Sequence, residues 1–179
     1  MPEPIENYIP QALLKQQKRQ AFLAWLAVFL IALAWIGLIV AAPLASAGGL
    51  KGFSNPVYTF FSYVCHQIPE RSFHALGFPF AVCSRCFGFY FGFLLGLGAF
   101  PFFRALDEAE PFRRFWLFLA IIPTGIDWSL GFFGIWENTH ASRSVTAALL
   151  GFACAFFIVP ALAEISRFFV ERKVKRLSC

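Results

Sequence analysis

Apolar and polar positions fall along this chain in blocks rather than in short periods. Four long apolar runs, at about 21–44, 87–103, 115–133 and 145–163, are separated by segments that gather nearly all of the charge. At roughly 1.5 Å of rise per residue, such runs are helices that cross or nearly cross a bilayer core of about 30 Å. The pattern predicts an all-α, polytopic membrane protein. It is a single domain, 1–179, of four transmembrane helices, with a Cys/His-containing outer loop at 45–86. The first run has a second reading as a secretory signal. Lys15, Lys18 and Arg19 precede it, and Ala45-Ser46-Ala47 follows it like a cleavage site. Its length favours a span, because the apolar part of a signal peptide is about 7–15 residues.

The connecting segments have their own signals. Residues before the first run predict an amphipathic interfacial helix around Ile9 to Gln20. Ala47 to Phe53 is Gly-rich and reads as a turn. Pro56 to Val64 (PVYTFFSYV) is aromatic but too short to span, which suits the interface or a partial re-entry. Pro69 suits the first position of a short helix that Gly77 would end. Arg104 to Arg114 is a charged loop, Gly134 to Ser144 a short one, and Arg167 to Arg176 a basic helical extension. Gly88, Gly92 and Gly96 repeat on one face of the second span. Ala147, Gly151 and Ala155 do the same in the fourth. Such small-residue faces let another helix approach closely, and in a complex they would receive a membrane-protein partner.

Composition agrees with this picture. Hydrophobic residues make up 59% and charged residues 14%, against about 25% charged in soluble domains. The net charge of +5 does not indicate a nucleic-acid partner, since the charges sit at the ends of apolar runs and form no basic groove. The partner is the lipid bilayer. With four spans, eleven basic residues (Lys15, Lys18, Arg19, Arg104, Arg113, Arg114, Arg167, Arg172, Lys173, Lys175, Arg176) fall on one side. Four (Lys51, Arg71, Arg85, Arg143) fall on the other. The bias places both termini in the cytoplasm of a cell bounded by this inner or plasma membrane, and loop 45–86 outside.

Candidate chemistry concentrates between Cys65 and Cys86, in CHQIPERSFHALGFPFAVCSRC. This stretch holds three of the five cysteines and two of the three histidines. Cys83-x-x-Cys86 places two sulfurs on one side of a turn, which suits a metal or a dithiol pair. With Cys65 and His66 it makes a Cys3His set, a composition common for structural zinc; thiolates also suit Cu(I) or an iron–sulfur centre. His74 is a fifth candidate ligand. Cys154, inside the fourth span, and Cys179, at the tail, read as small hydrophobes. A redox reading competes. A helix start and Arg85 both favour thiolate at Cys86. An exported C-x-x-C at the mouth of a four-helix bundle is also the arrangement of quinone-linked membrane thiol oxidoreductases, although those generally carry a second pair and only Cys65 is near. Asp127 is a charge inside a span, which is costly and usually faces a partner or a polar cavity. It lies roughly 20 Å along the third run, level with Arg143, so Asp127–Arg143 is the expected ion pair. Glu70, Arg71, Asp127 and Arg143 are the candidate catalytic or supporting groups around the cysteines. Glu137-x-x-His140 has the spacing of a di-iron helix but no second copy. No P-loop, dinucleotide fingerprint, G-x-S-x-G or H-E-x-x-H is present.

The runs CHQIPERSF and AVCSRCFGFYFGFLLG resemble the predicted membrane proteins of bacteria and archaea grouped as domain of unknown function 2085. The resemblance rests on Cys65, His66, Gln67, Pro69, Glu70, Arg71 and Ser72, then Cys83, Arg85, Cys86, Gly88, Tyr90 and Gly92. It extends to Pro123, Asp127 and Arg143, with Trp128 standing where a Gly is common. It implies a shared site and no particular activity; His74 is outside the pattern. Three functions follow as expectations: a metal-binding membrane protein, a thiol–disulfide oxidoreductase using Cys83 and Cys86, or a non-enzymatic subunit of a membrane complex.

Overall fold

A computed structural model of the chain describes residues 11–177. Five helices carry the fold: α1 Gln11–Ala47, α2 Lys51–Ser62, α3 Ser84–Phe103, α4 Phe115–Phe132 and α5 His140–Leu177. All but α2 are long and apolar enough to cross a membrane. The expected all-α, four-span architecture is therefore present, with one small addition in the loop before α3.

α1 begins earlier than the hydropathy suggested. Residues 11–20 are its first turns rather than a separate interfacial helix, and Ile9 lies outside the described residues. Nothing in Lys15-Gln16-Gln17-Lys18-Arg19 breaks a helix, so the apolar helix continues into polar sequence. It ends where glycine permits a left-handed residue. Gly49 has φ +75°, the Leu50 amide reaches the Ala45 carbonyl at 2.8 Å, and the Gly49 amide reaches Ser46 at 3.1 Å. This reverse closes the last turn of the helix and aims α2 back along α1. The expected turn is accordingly shorter than 47–53. α2, with Ser54, Val57 and Phe61 buried on one face, is about 18 Å long and cannot span. It packs through Phe60 and Phe61 edge-on against Trp35 of α1.

The short helix expected at Pro69 is a single 3-10 turn, Pro69–Arg71. Gly77 does not end it. It forms, with Leu76, the two-residue turn of a small antiparallel hairpin, β1 His74–Ala75 and β2 Phe78–Pro79. Both turn residues have positive φ, +51° and +84°, the geometry that matches strand twist in a tight hairpin.

α3 and α5 form the centre. Their small-residue faces meet each other. A Cβ on Gly88 or Gly92 would collide with the α5 backbone at Ser144 or Ala148, and one on Gly151 with α3 at Phe89. A Cβ on Gly96 would come within 2.7 Å of Ala155, and Ala147 is buried as well. These faces are occupied within the chain, which corrects their reading as surfaces for a partner. α5 is one helix from His140 to Leu177, so His140 and Arg143 sit in its first turn rather than in a loop, and the basic extension continues the span. α4 is attached differently: Asp127 is its one buried residue. Side chains such as Trp116, Phe118, Ile122 and Ile126 are exposed on it, as lipid-facing residues should be.

Candidate functional site

The helix ends sort into two groups. One end of the bundle joins the start of α1, the 104–114 loop and the far part of α5. The other joins the turn after α1, α2, the hairpin, and the starts of α3 and α5. The candidate groups collect at the second end.

Cys65 leaves α2 with its amide bonded to the Phe61 carbonyl at 2.9 Å, and is buried. Cys83 is the residue before the first turn of α3, and Cys86 lies within that turn. α3 thus starts before Cys86 instead of after it, because Ser84 and Arg85 already have helical geometry. The Cys83 amide donates to Cys65 Sγ at 3.2 Å, and Cys83 Sγ and Cys86 Sγ are 3.5 Å apart. All three sulfurs lie within 4.8 Å of one another. With the Cys86 thiol as donor, the hydrogen bond holds the Cys83 thiol down, to about 5, against the opposing effect of burial.

Gln67 explains how two distant stretches hold this register. Its left-handed backbone, φ +48°, turns the chain after Cys65. Its amide then donates to the Tyr58 carbonyl at 2.8 Å and the Ala81 carbonyl at 2.7 Å. Tyr58 donates to the Pro79 carbonyl at 2.5 Å. These bonds tie α2 to the segment entering α3, and so place Cys65 against Cys83. Sequence reasoning quoted Gln67 without a role; its place directly after Cys65-His66 is the signal that could have found it.

The sulfurs open on a cavity of about 540 Å3, whose wall includes His66, Arg71, Ser84, Arg85, Trp128, Asn138 and Arg143. His66 is on this wall but outside the triangle of sulfurs. Of the four expected ligands, the three cysteines come to close range and the histidine stands beside them. Asp127 pairs with Arg85, Oδ2 to Nη2 at 2.5 Å, and not with Arg143. Arg85, in the first turn of α3, reaches across to α4 and fills the place the sequence had assigned to Arg143. Asn138 donates to the Asp127 backbone carbonyl, which fixes the turn after α4 over the same point. Arg143 Nε, Arg85 Nε, Ser84 Oγ and Asn138 Oδ1 are buried without a hydrogen-bond partner among the described residues.

The remaining candidates fall away from the sulfurs. Glu70 is exposed on the 3-10 turn and is not part of the cavity wall, although its neighbour Arg71 is. His74 is exposed on the hairpin, its Nδ1 3.0 Å from the Ser72 carbonyl. Glu137 is exposed, whereas His140 packs its ring against Phe73, so the two form no joint site. Cys154 is half-buried in α5, and Cys179 lies outside the described residues.

Comparison with known proteins places the chain in a family. The family described as "Predicted membrane protein (DUF2085)" matches residues 65–157, from the first clustered cysteine to the middle of α5. An uncharacterized protein of Methanocaldococcus jannaschii is 37% identical over 114 residues, covering 64% of this chain and 73% of the relative. An uncharacterized protein of Methanothermobacter thermautotrophicus is 36% identical over 99 residues, 53% of this chain and 84% of the relative. No solved structure matches. The chain belongs to the DUF2085 family of predicted membrane proteins.

Proposed function

We propose that this family member binds a thiophilic metal ion, zinc before copper or an iron–sulfur centre, through Cys65, Cys83 and Cys86, at the outer face of a cell's inner or plasma membrane. The observation that carries the reading is the approach of three sulfurs from two separate segments to within 4.8 Å. Zn–S bonds of about 2.3 Å in a tetrahedral site hold sulfurs about 3.8 Å apart. Shifts of at most about 1 Å, with a slight widening of the 3.5 Å Cys83–Cys86 pair, would therefore fit the triangle to the ion. Three thiolates leave a fourth position directed at the cavity, for water, a substrate group or His66. Arg71, Arg85 and Arg143 would offset the negative charge of the thiolates, and Asp127 holds Arg85 in place. A metal here would join the loop to α3 as a hydrogen bond alone cannot. The outward orientation rests on the distribution of Lys and Arg, with both termini cytoplasmic.

The test is elemental analysis of protein purified gently in detergent. About one metal ion per chain is expected, and none in Cys65→Ser, Cys83→Ser or Cys86→Ser. A metal-free wild type carrying a Cys83–Cys86 disulfide would defeat the reading. That result would favour a thiol–disulfide exchanger, which the 3.5 Å separation of Cys83 Sγ and Cys86 Sγ also supports. In that chemistry the Cys83 thiolate attacks a substrate disulfide and releases one substrate thiolate. Cys86 then displaces the second and leaves the Cys83–Cys86 disulfide.

A further inference from the structure

The cavity beside the cysteines has more positive charge than its own acids answer. Three guanidinium groups, Arg71, Arg85 and Arg143, stand on its wall. Asp127 pairs with one of them, Arg85, and no other salt bridge at this end is present among the described residues. Arg143 Nε is buried with no acceptor. Ser84, at 0% exposure, also lines the cavity and keeps a buried hydroxyl without a partner. Ser84 and Arg85 belong to the first turn of α3, where backbone amides have no acceptor within the helix and the helix dipole favours negative charge. Arg71 is exposed at the cavity's rim, but the Arg143 Nε and the Ser84 hydroxyl are buried donors without a partner, which is costly unless an acceptor joins them.

We propose that this cavity binds a phosphate-type oxyanion, with Arg143 and Arg71 as its forks and Ser84 and the start of α3 as further donors. Guanidinium groups match the oxygens of such an anion two at a time. Neutral Asn138 and aromatic Trp128 on the same wall would discriminate little among anions but leave room for an organic substituent. The volume of about 540 Å3 exceeds what a free phosphate fills. Further along the bundle, toward the 104–114 end, α4 and α5 line a second, apolar groove of about 510 Å3 among Trp116, Leu119, Pro123, Leu149 and Phe156. The phosphate is either free in the outer solution or the head of a lipid whose chains lie against the exposed apolar side chains of α4, such as Ile122 and Ile126. The site does not depend on the metal. Three thiolates around a divalent ion carry one net negative charge, fewer than the two arginines without a carboxylate partner.

Two probes separate the sources: inorganic phosphate, and phosphatidic acid in nanodiscs of otherwise zwitterionic lipid. Binding is read by calorimetry and by the thermal midpoint of the purified full chain, with metal content measured on the same samples. Wild-type protein is expected to bind at least one probe. Arg143→Gln should weaken that binding roughly tenfold or more, as loss of a charge-assisted pair does. Arg143→Lys should recover only part, and Arg104→Gln, at the other end, should change nothing. If Arg143→Gln does not fold, Arg71→Gln serves the same comparison. Binding confined to phosphatidic acid identifies a lipid ligand, and binding of both identifies the phosphate group alone. Metal-free Cys83→Ser should still bind, so loss of the metal and loss of the anion are separate results. Failure of both probes to bind wild type, or equal binding by wild type and both arginine variants, overturns the proposal.

Discussion

The two ends of the bundle hold similar charges in opposite ways. At the end formed by the 104–114 loop, the arginines either find acceptors, as Arg104 and Arg167 do, or stand exposed, as Arg19, Arg113 and Arg114 do. Arg104 reaches the Glu108 carboxylate at 3.3 Å and the Glu110 carbonyl at 2.8 Å, and lies over the Phe112 ring. Arg167 reaches the Asp107 carbonyl at 2.5 Å, and Lys18 stands 4.0 Å from the Asp107 carboxylate. At the cysteine end, the single carboxylate of Asp127 answers Arg85 alone, and Arg71 and Arg143 on the same cavity wall have no carboxylate partner among the described residues. The first arrangement is what a protein does with charges that only need housing near lipid headgroups. The second leaves a buried guanidinium nitrogen of Arg143 without an acceptor on a cavity wall, which is what a binding site requires. Charge count alone would not separate the two; the disposition of acceptors does.

The largest expected effect removes the scaffold common to both ends. Gly92→Leu forces a side chain into the α5 backbone and should cost upwards of about 3 kcal/mol. Heat-induced unfolding in detergent should show little folded protein, whereas a similar change at Gly37, which faces open space, should be mild. Next is Asp127→Asn, which strands a partly exposed arginine. It should cost about 2 kcal/mol and lower the thermal midpoint well beyond the change produced by Arg104→Gln. Chelation should follow: removing the proposed metal should lower the thermal midpoint of wild type and leave Cys83→Ser unmoved. In the metal-free protein, one thiol of the Cys83–Cys86 pair should react with an alkylating agent at a rate nearly constant between pH 6 and 8. The Cys83 thiol is pushed down to about 5 and stays ionised across that window; an ordinary thiol accelerates steeply there. The smallest effect is Lys18→Gln, below about 0.5 kcal/mol in the same unfolding measurement, since Lys18 is exposed and its ion pair long.

Much of this is legible in the sequence. Runs of apolar residues separated by charge leave few alternatives to membrane helices, and the α4 boundary fell within one residue of the expected one. The glycine and alanine repeats announced close helix packing, but a repeat on one helix does not say which helix answers it. Here α3 and α5 answer each other. Helix starts were less legible. Thr139 accepts the Ser142 amide at 3.1 Å and caps α5 in a stretch that reads as loop, and Ser84-Arg85 gives no hydropathic sign of belonging to α3. That shift moved Arg85 toward Asp127 and left Arg143 free, so the expected ion pair had the right acid and the wrong base. The hairpin at Leu76-Gly77 escaped because leucine is a poor marker for positive φ. The sulfur triangle was approached from spacing, but its register depends on Gln67, whose two hydrogen bonds join residues far apart in sequence.

The attachment of α4 bears on how the protein is made. A helix whose one buried residue is Asp127 presents the translocation machinery with an apolar segment carrying an unpaired acid. Releasing that acid alone into hydrocarbon costs up to about 3 kcal/mol. Its answer, Arg85, belongs to the preceding helix and has already been synthesised when α4 emerges. The two helices are therefore expected to leave the insertion channel together, as a hairpin whose polar ends are already clasped. A ribosome stalled before Asp127 would display α3 waiting for its counterion.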